Sequence, residues 1–106
     1  MIIEADKSTF DIHIKTPCVV DFYTSGCPSC EKFGHVFEQA APQYEDYKFL
    51  KVNLDDDLTL AERYGLTHIP TVIKFIGGVA VNTKSGYMDK MEFCHFINEE
   101  EKGGEQ

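Results

Sequence analysis

Val19-Val20-Asp21-Phe22-Tyr23-Thr24-Ser25-Gly26-Cys27-Pro28-Ser29-Cys30 carries the chain from an apolar strand through a short turn into a helix, with two cysteines at the junction. The first five residues are too apolar for a strand with one wet face. They read as a central strand covered on both sides. Two residues between Cys27 and Cys30 let the sulfurs meet across one helical turn. The upstream thiol sits among the unpaired N–H groups of a helix start, which favour its anion. Such a pair suits either redox turnover or metal binding.

On either side of this stretch, strand-like and helix-like segments alternate. Ile2-Ile3-Glu4 reads as a short edge strand. Ser8 with Asp11 three residues on predicts an N-cap, and Phe10 and Ile14 fall on one face of the helix that follows. After Cys30, the residues Phe33, Val36, Phe37, Ala40, Ala41 and Tyr44 repeat at the spacing of an amphipathic helix. Pro42 lacks an N–H and crowds the preceding turn, so that helix is expected to stop or kink close to Ala41. Residues 49–53 form the next strand. Asp57 is expected to cap a short helix over 58–64, with Gly65 ending it in a left-handed conformation. Two further strands flank Gly77-Gly78 and predict an antiparallel hairpin. Asp89 with Glu92 forms a capping box, and Met88 is placed to staple onto Phe93, with Phe96 and Ile97 carrying the buried face toward Glu101. Residues 102–106 have nothing to bury and are expected to fray. The order predicts one domain over 1–101, an α/β mixed sheet with helices on both faces.

Composition bounds the function. A chain of 106 residues with 42% apolar and 26% charged side chains supports one core and leaves no room for a second domain. No run approaches the ~18 apolar residues of a membrane span, and the first residues lack the pattern of a signal peptide. The expected location is the cytoplasm. A net charge of −8 argues against a nucleic-acid partner. Cys18 and Cys94 stand apart from the pair and read as small buried apolar residues.

Several separate pieces of the chain together resemble the thioredoxin family, over nearly the whole length. Residues 19–23 followed by Cys27 and Cys30 look like its strand and redox site, with Asp21 on its buried aspartate. Lys51-Val52-Asn53-Leu54-Asp55 is similar to its next strand. Tyr64-Gly65-Leu66-Thr67-His68-Ile69-Pro70-Thr71 resembles the segment ending in its cis-proline, and Ser85-Gly86 falls on its glycine beside the site. The resemblance implies a thioredoxin-like fold and a thiol–disulfide oxidoreductase that reduces protein disulfides. It implies no organic cofactor or metal, a flavoprotein thioredoxin reductase as electron donor, and no membrane partner; the chain is expected to be a monomer.

The resemblance also implies roles. Cys27 is the attacking thiolate and Cys30 the more buried resolving thiol. Asp21, a carboxylate whose burial raises its affinity for a proton, takes the proton of Cys30. Lys51 tunes Asp21 if their strands are neighbours, and otherwise is an ordinary strand lysine. A cis Ile69–Pro70 bond is expected to turn the N–H and C=O of Ile69 toward a docked peptide, with Gly86 beside it.

The chain departs from the family's Trp-Cys-Gly-Pro-Cys. Gly26 replaces the tryptophan and loosens the approach to Cys27. Pro28 at the first helical position keeps the local fold, and Ser29 offers a hydroxyl to a sulfur. These three are expected to shape substrate contact. Glu31 reads as a helix-dipole residue. His35 stands where the family often has a kinking proline, moving any bend toward Pro42. His68 reads as a loop histidine, and His13 and His95 as solvated. Asp55-Asp56-Asp57 lacks the spacing of a calcium loop and reads as a helix entrance. Two alternatives stay open: a glutathione-dependent, glutaredoxin-like enzyme, suggested by Pro28 after the first cysteine, and a metal-binding module, for which no second cysteine pair is present.

Overall fold

Strand β2 (Cys18–Tyr23) lies at the centre of a five-stranded sheet with β1 (Ile2–Ala5), β3 (Lys48–Asn53), β4 (Thr71–Ile76) and β5 (Val79–Ser85). The computed structural model describes residues 2–55 and 57–99. The strands lie in the order β1-β3-β2-β4-β5. β3 runs parallel to both β1 and β2, while β4 is antiparallel to β2 and β5. This is the expected mixed sheet, with Ile2–Ala5 at its edge.

Side chains alternate across the strands, and each face has its own core. On one face Val20, Phe22, Leu50, Val52, Ile73 and Phe75 meet Phe10 of α1 (Phe10–His13), Ile14 after it and Leu60 of α3 (Thr59–Arg63). On the other, Val19, Phe49 and Val72 meet Phe33 and Phe37 of α2 (Pro28–Ala40) and Phe93, Phe96 and Ile97 of α4 (Lys90–Asn98). Helices therefore cover both faces, as read from the sequence.

Local signals set the element ends. Pro42 cannot continue α2, and Ala41–Gln43 tighten into a 3-10 turn. Gly77 and Gly78 join β4 to β5 with φ of 58° and 83°, the backbone that two-residue hairpins require. The capping box on α4 is closed in both directions: Glu92 N–H donates to Asp89 at 2.8 Å and Asp89 N–H to Glu92 at 2.9 Å. Met88 is buried in the cluster that holds Phe93.

Five expectations need correction. Cys94, unlike Cys18, is half-buried rather than buried. α1 begins after Thr9, and Ser8 does not cap it. The Asp6 carboxylate, nearer the strand end, instead accepts the N–H groups of Ser8 and Thr9 at 2.9 and 3.2 Å. α3 is shorter than 58–64, although Asp57 still accepts the Thr59 N–H at 2.8 Å. α4 ends at Asn98 with Glu99 in extended backbone; residues 100–106, including the tail expected to fray, lie outside the described residues, as does Asp56. His13 is not merely solvated, because Lys48 Nζ lies 3.3 Å from its Nδ1 and donates to its carbonyl at 3.2 Å.

One buried lysine ties α4 to the sheet. Lys74 is 4% exposed, and its Nζ donates to the carbonyls of Ile97 at 3.0 Å and Glu99 at 2.7 Å. A cation is favourable at that end of a helix, where carbonyls lack partners.

Candidate active site

The end of the sheet formed by Tyr23 of β2, Asn53 of β3, Thr71 of β4 and Ser85 of β5 carries the site: Tyr23 pairs with Asn53, while Thr71 pairs with Ser85 and with Phe22, one residue before Tyr23. From Tyr23 the chain crosses Thr24, Ser25 and Gly26 and enters α2. A disulfide joins Cys27 to Cys30 there, with Cα atoms 5.2 Å apart. Cys27 is the N-cap, in extended backbone, and its sulfur accepts the Cys30 N–H at 3.3 Å. The Ser29 hydroxyl lies 3.6 Å from the same sulfur. Cys27 is half-buried, whereas Cys30 is only 4% exposed. Pro28 occupies the first helical turn without losing an internal hydrogen bond.

Gly26 has φ of +70°, a backbone that L side chains rarely adopt, and nothing stands within 4 Å of where its Cβ would be. The missing tryptophan therefore coincides with a left-handed turn. The turn is held from β3: Ser25 N–H donates to Asp55 at 3.0 Å, Asn53 Nδ2 donates to the Ser25 hydroxyl at 3.4 Å, and Asp55 N–H donates to Asn53 at 2.7 Å. The bonds from Ser25 hold the Asp55 carboxyl below its ordinary range.

Asp21 lies two residues before the strand end, 0% exposed, with neither carboxylate oxygen hydrogen-bonded among the described residues. Burial pushes its carboxyl up to about 7; the charge of Lys51 opposes the rise and that of Glu4 adds to it. Lys51 pairs directly with Asp21 across β2 and β3, so the two strands are neighbours as the tuning role requires. The Lys51 ammonium stands 4.6 Å from the Tyr23 ring centroid and 3.5 Å from where a Cβ on Gly34 would be. Lys51, Cys30, Glu31, Gly34, His35 and Glu38 line one open cleft.

Opposite the helix start, the Ile69–Pro70 peptide bond is cis. The Gly86 N–H donates to the Pro70 carbonyl at 2.8 Å, binding the end of β5 to this segment. Ile69 packs its side chain against the α1/α3 core, and no hydrogen bond engages its N–H or C=O among the described residues. His68 is exposed, its Nδ1 3.0 Å from the Thr67 hydroxyl.

The sheet thus brings Asp21 and Lys51 together behind the disulfide, and gathers Gly26, Pro28, Ser29, Ile69, Pro70 and Gly86 at the same end. Sequence reasoning missed Glu4, Tyr23 and the Asn53–Asp55 clasp. It also missed Tyr87, whose half-exposed ring takes the Lys32 ammonium at 4.8 Å from its centroid. Only strand register reveals Glu4, whereas Tyr23 was in view as the last residue of the central strand. A larger groove between β5 and α4, lined by Val81, Met88 and Phe96, contains none of the expected site residues. Burial pushes the Cys18 thiol up to about 12, which removes it from thiolate chemistry at neutral pH.

Comparison with known proteins gives one consistent match. A family model described as Thioredoxin covers residues 1–99. Among curated relatives, the chain is 33% identical over 84 residues to a thioredoxin of Mycoplasma genitalium, covering 79% of this chain and 82% of the relative. It is 34% identical over 87 residues to one of Griffithsia pacifica, covering 81% and 80%. A thioredoxin of Porphyra purpurea is 37% identical over 83 residues, covering 77% and 78%.

Proposed function

Because this chain belongs to the thioredoxin family and is a thiol–disulfide oxidoreductase acting on protein disulfides, we propose a specific division of labour among its residues. The Cys27 thiolate attacks one sulfur of a target disulfide, forming a mixed disulfide and releasing the other target sulfur as a thiolate, which takes a proton from solvent. Cys30 then passes its proton to the Asp21 carboxylate and attacks the Cys27 sulfur. The second target thiol leaves, Cys27 and Cys30 close their disulfide, and two electrons have moved to the target. Lys51 sets the proton affinity of Asp21.

The observation that carries this reading is a fully buried carboxylate without a hydrogen-bond partner among the described residues, beside a lysine, on the strand that leads into the disulfide. A carboxyl pushed up to about 7 accepts a proton and returns it near neutral pH. The peptide-docking face consists of Gly26, Pro28 and Ser29 on one side and Ile69, Pro70 and Gly86 on the other. The unengaged N–H and C=O of Ile69 there offer a strand-like rung to the target.

The reading extends to setting. Electrons reach the pair from a flavoprotein thioredoxin reductase, the protein works as a monomer, and its compartment is the cytoplasm. A reducing compartment agrees with two cysteines, Cys18 and Cys94, left as free thiols.

Cys27→Ser is expected to abolish reduction of a protein disulfide, and retention of the original rate overturns the assignment. Comparing turnover of a glutathione mixed disulfide with that of a protein disulfide separates this chemistry from a glutathione-linked one. An equilibrium titration of the pair in defined thiol buffers gives its midpoint, which is expected to be reducing enough to deliver electrons to protein disulfides.

A further inference from the structure

The registers of β1, β3 and β2 line up Glu4, Lys51 and Asp21 across three strands: Glu4 stands opposite Lys51, and Lys51 opposite Asp21. Paired residues of a parallel ladder share a face, here the one covered by α2. Lys51 therefore has a carboxylate on either side. It closes an ion pair with neither, since the ion pairs among the described residues are Lys7–Asp57, Arg63–Asp11 and His95–Glu99.

Tyr23 links the row. Its ring lies 4.6 Å from Lys51 Nζ, and its hydroxyl donates to the two oxygens of the exposed Glu4 carboxylate at 3.2 and 3.4 Å. One side chain thus seats the cation with its ring and fixes the outer carboxylate with its hydroxyl. Among the described residues, the other charged or titratable groups lining the cleft that the lysine enters come from α2, namely Glu31, His35, Glu38 and Cys30, and none of them has a hydrogen bond or ion pair with Lys51. Gly34, directly above, contributes no side chain. Glu4 is the carboxylate held in register with the cation from outside the site.

We propose that Glu4 is a positioning residue of the redox site: it shares Lys51 with Asp21 and so sets how much of that cation's field reaches the buried carboxylate. The inference rests on the proton-accepting role of Asp21 given above. With Glu4 ionised, the flexible Lys51 ammonium is drawn toward Glu4 as well and stands further from Asp21, on top of the direct repulsion between the two carboxylates. With Glu4 neutral, Lys51 favours Asp21 alone, and Asp21 holds its proton less tightly.

The test follows the side-chain carboxyl carbon of Asp21 by NMR against pH, in the disulfide form, where neither active-site thiol titrates. Glu4→Gln is expected to lower the Asp21 midpoint by about half a pH unit, roughly a threefold loss of proton affinity, and high salt to shrink that difference. In a Lys51→Met background the same substitution is expected to give less than half that shift. An unmoved midpoint overturns the inference. An undiminished shift in Lys51→Met also overturns it, because Glu4 then acts on Asp21 directly and not by sharing the cation. The pH profile of mixed-disulfide resolution is expected to follow the midpoint. A midpoint that moves while that profile stays fixed contradicts the role of Asp21 and leaves the sharing intact.

Discussion

Asp21 is fully buried, neither of its carboxylate oxygens has a hydrogen-bond partner among the described residues, and its environment makes the charged form costly. Its carboxyl is pushed from 3.8 up to about 7 in the folded chain. Between those values the folded state holds a proton that the unfolded state has released, so stability falls as pH rises through this window and is level above it. Measured by urea unfolding from pH 4 to pH 8, the wild-type chain is expected to lose about 4 kcal/mol relative to Asp21→Asn across the window. The same substitution is expected to slow resolution of the mixed disulfide by about 10²-fold, the lower end of what a positioned base supplies. A cost of that size accords with the proposed role of Asp21 as the proton acceptor of Cys30. At Gly26 the backbone decides. Its left-handed φ strains any L side chain, so Gly26→Ala is expected to lower stability by about 1 kcal/mol. The aspartate was legible from its place in an apolar strand, but the reason for the glycine was not, because φ is invisible in a sequence.

Among the elements, α4 shows which signals are local and which are not. Asp89 and Glu92 announce its start within four residues, and both bonds of the box form. Asp89→Ala is expected to cost about 1 kcal/mol by the same unfolding measurement. Its other end could not be read, because the cation that serves it, Lys74, comes from a strand 23 to 25 residues earlier. Lys74→Met is expected to remove the donor to the Ile97 and Glu99 carbonyls and to cost roughly 1–3 kcal/mol. The start of α1 was misread for a subtler reason. Asp6 and Ser8 are both competent caps two residues apart, and the strand end favours the carboxylate that reaches two N–H groups at once.

At the scale of the whole molecule, alternating strands and helices with punctuating glycines and prolines were enough to give the layered sheet, and pattern placed the disulfide at its end. What stayed hidden is side-by-side pairing: the row from Glu4 through Lys51 to Asp21 exists only once β1, β3 and β2 are in register. The α2/α4 core that supports this register centres on Phe93, whose ring lies 5.0 Å from Phe33, 5.7 Å from Phe37 and 6.2 Å from Phe49. Phe93→Ala is expected to lower stability by about 3–5 kcal/mol in urea unfolding.

The most direct test of electron transfer through the Cys27–Cys30 pair uses Cys30→Ser. This variant is incubated in its reduced form with a protein disulfide, and peptide mass spectrometry then locates the adduct. The expected product is a stable mixed disulfide on Cys27, with Cys18 and Cys94 unmodified. An adduct on Cys94 alone, or none at all while the wild-type chain turns over, contradicts it.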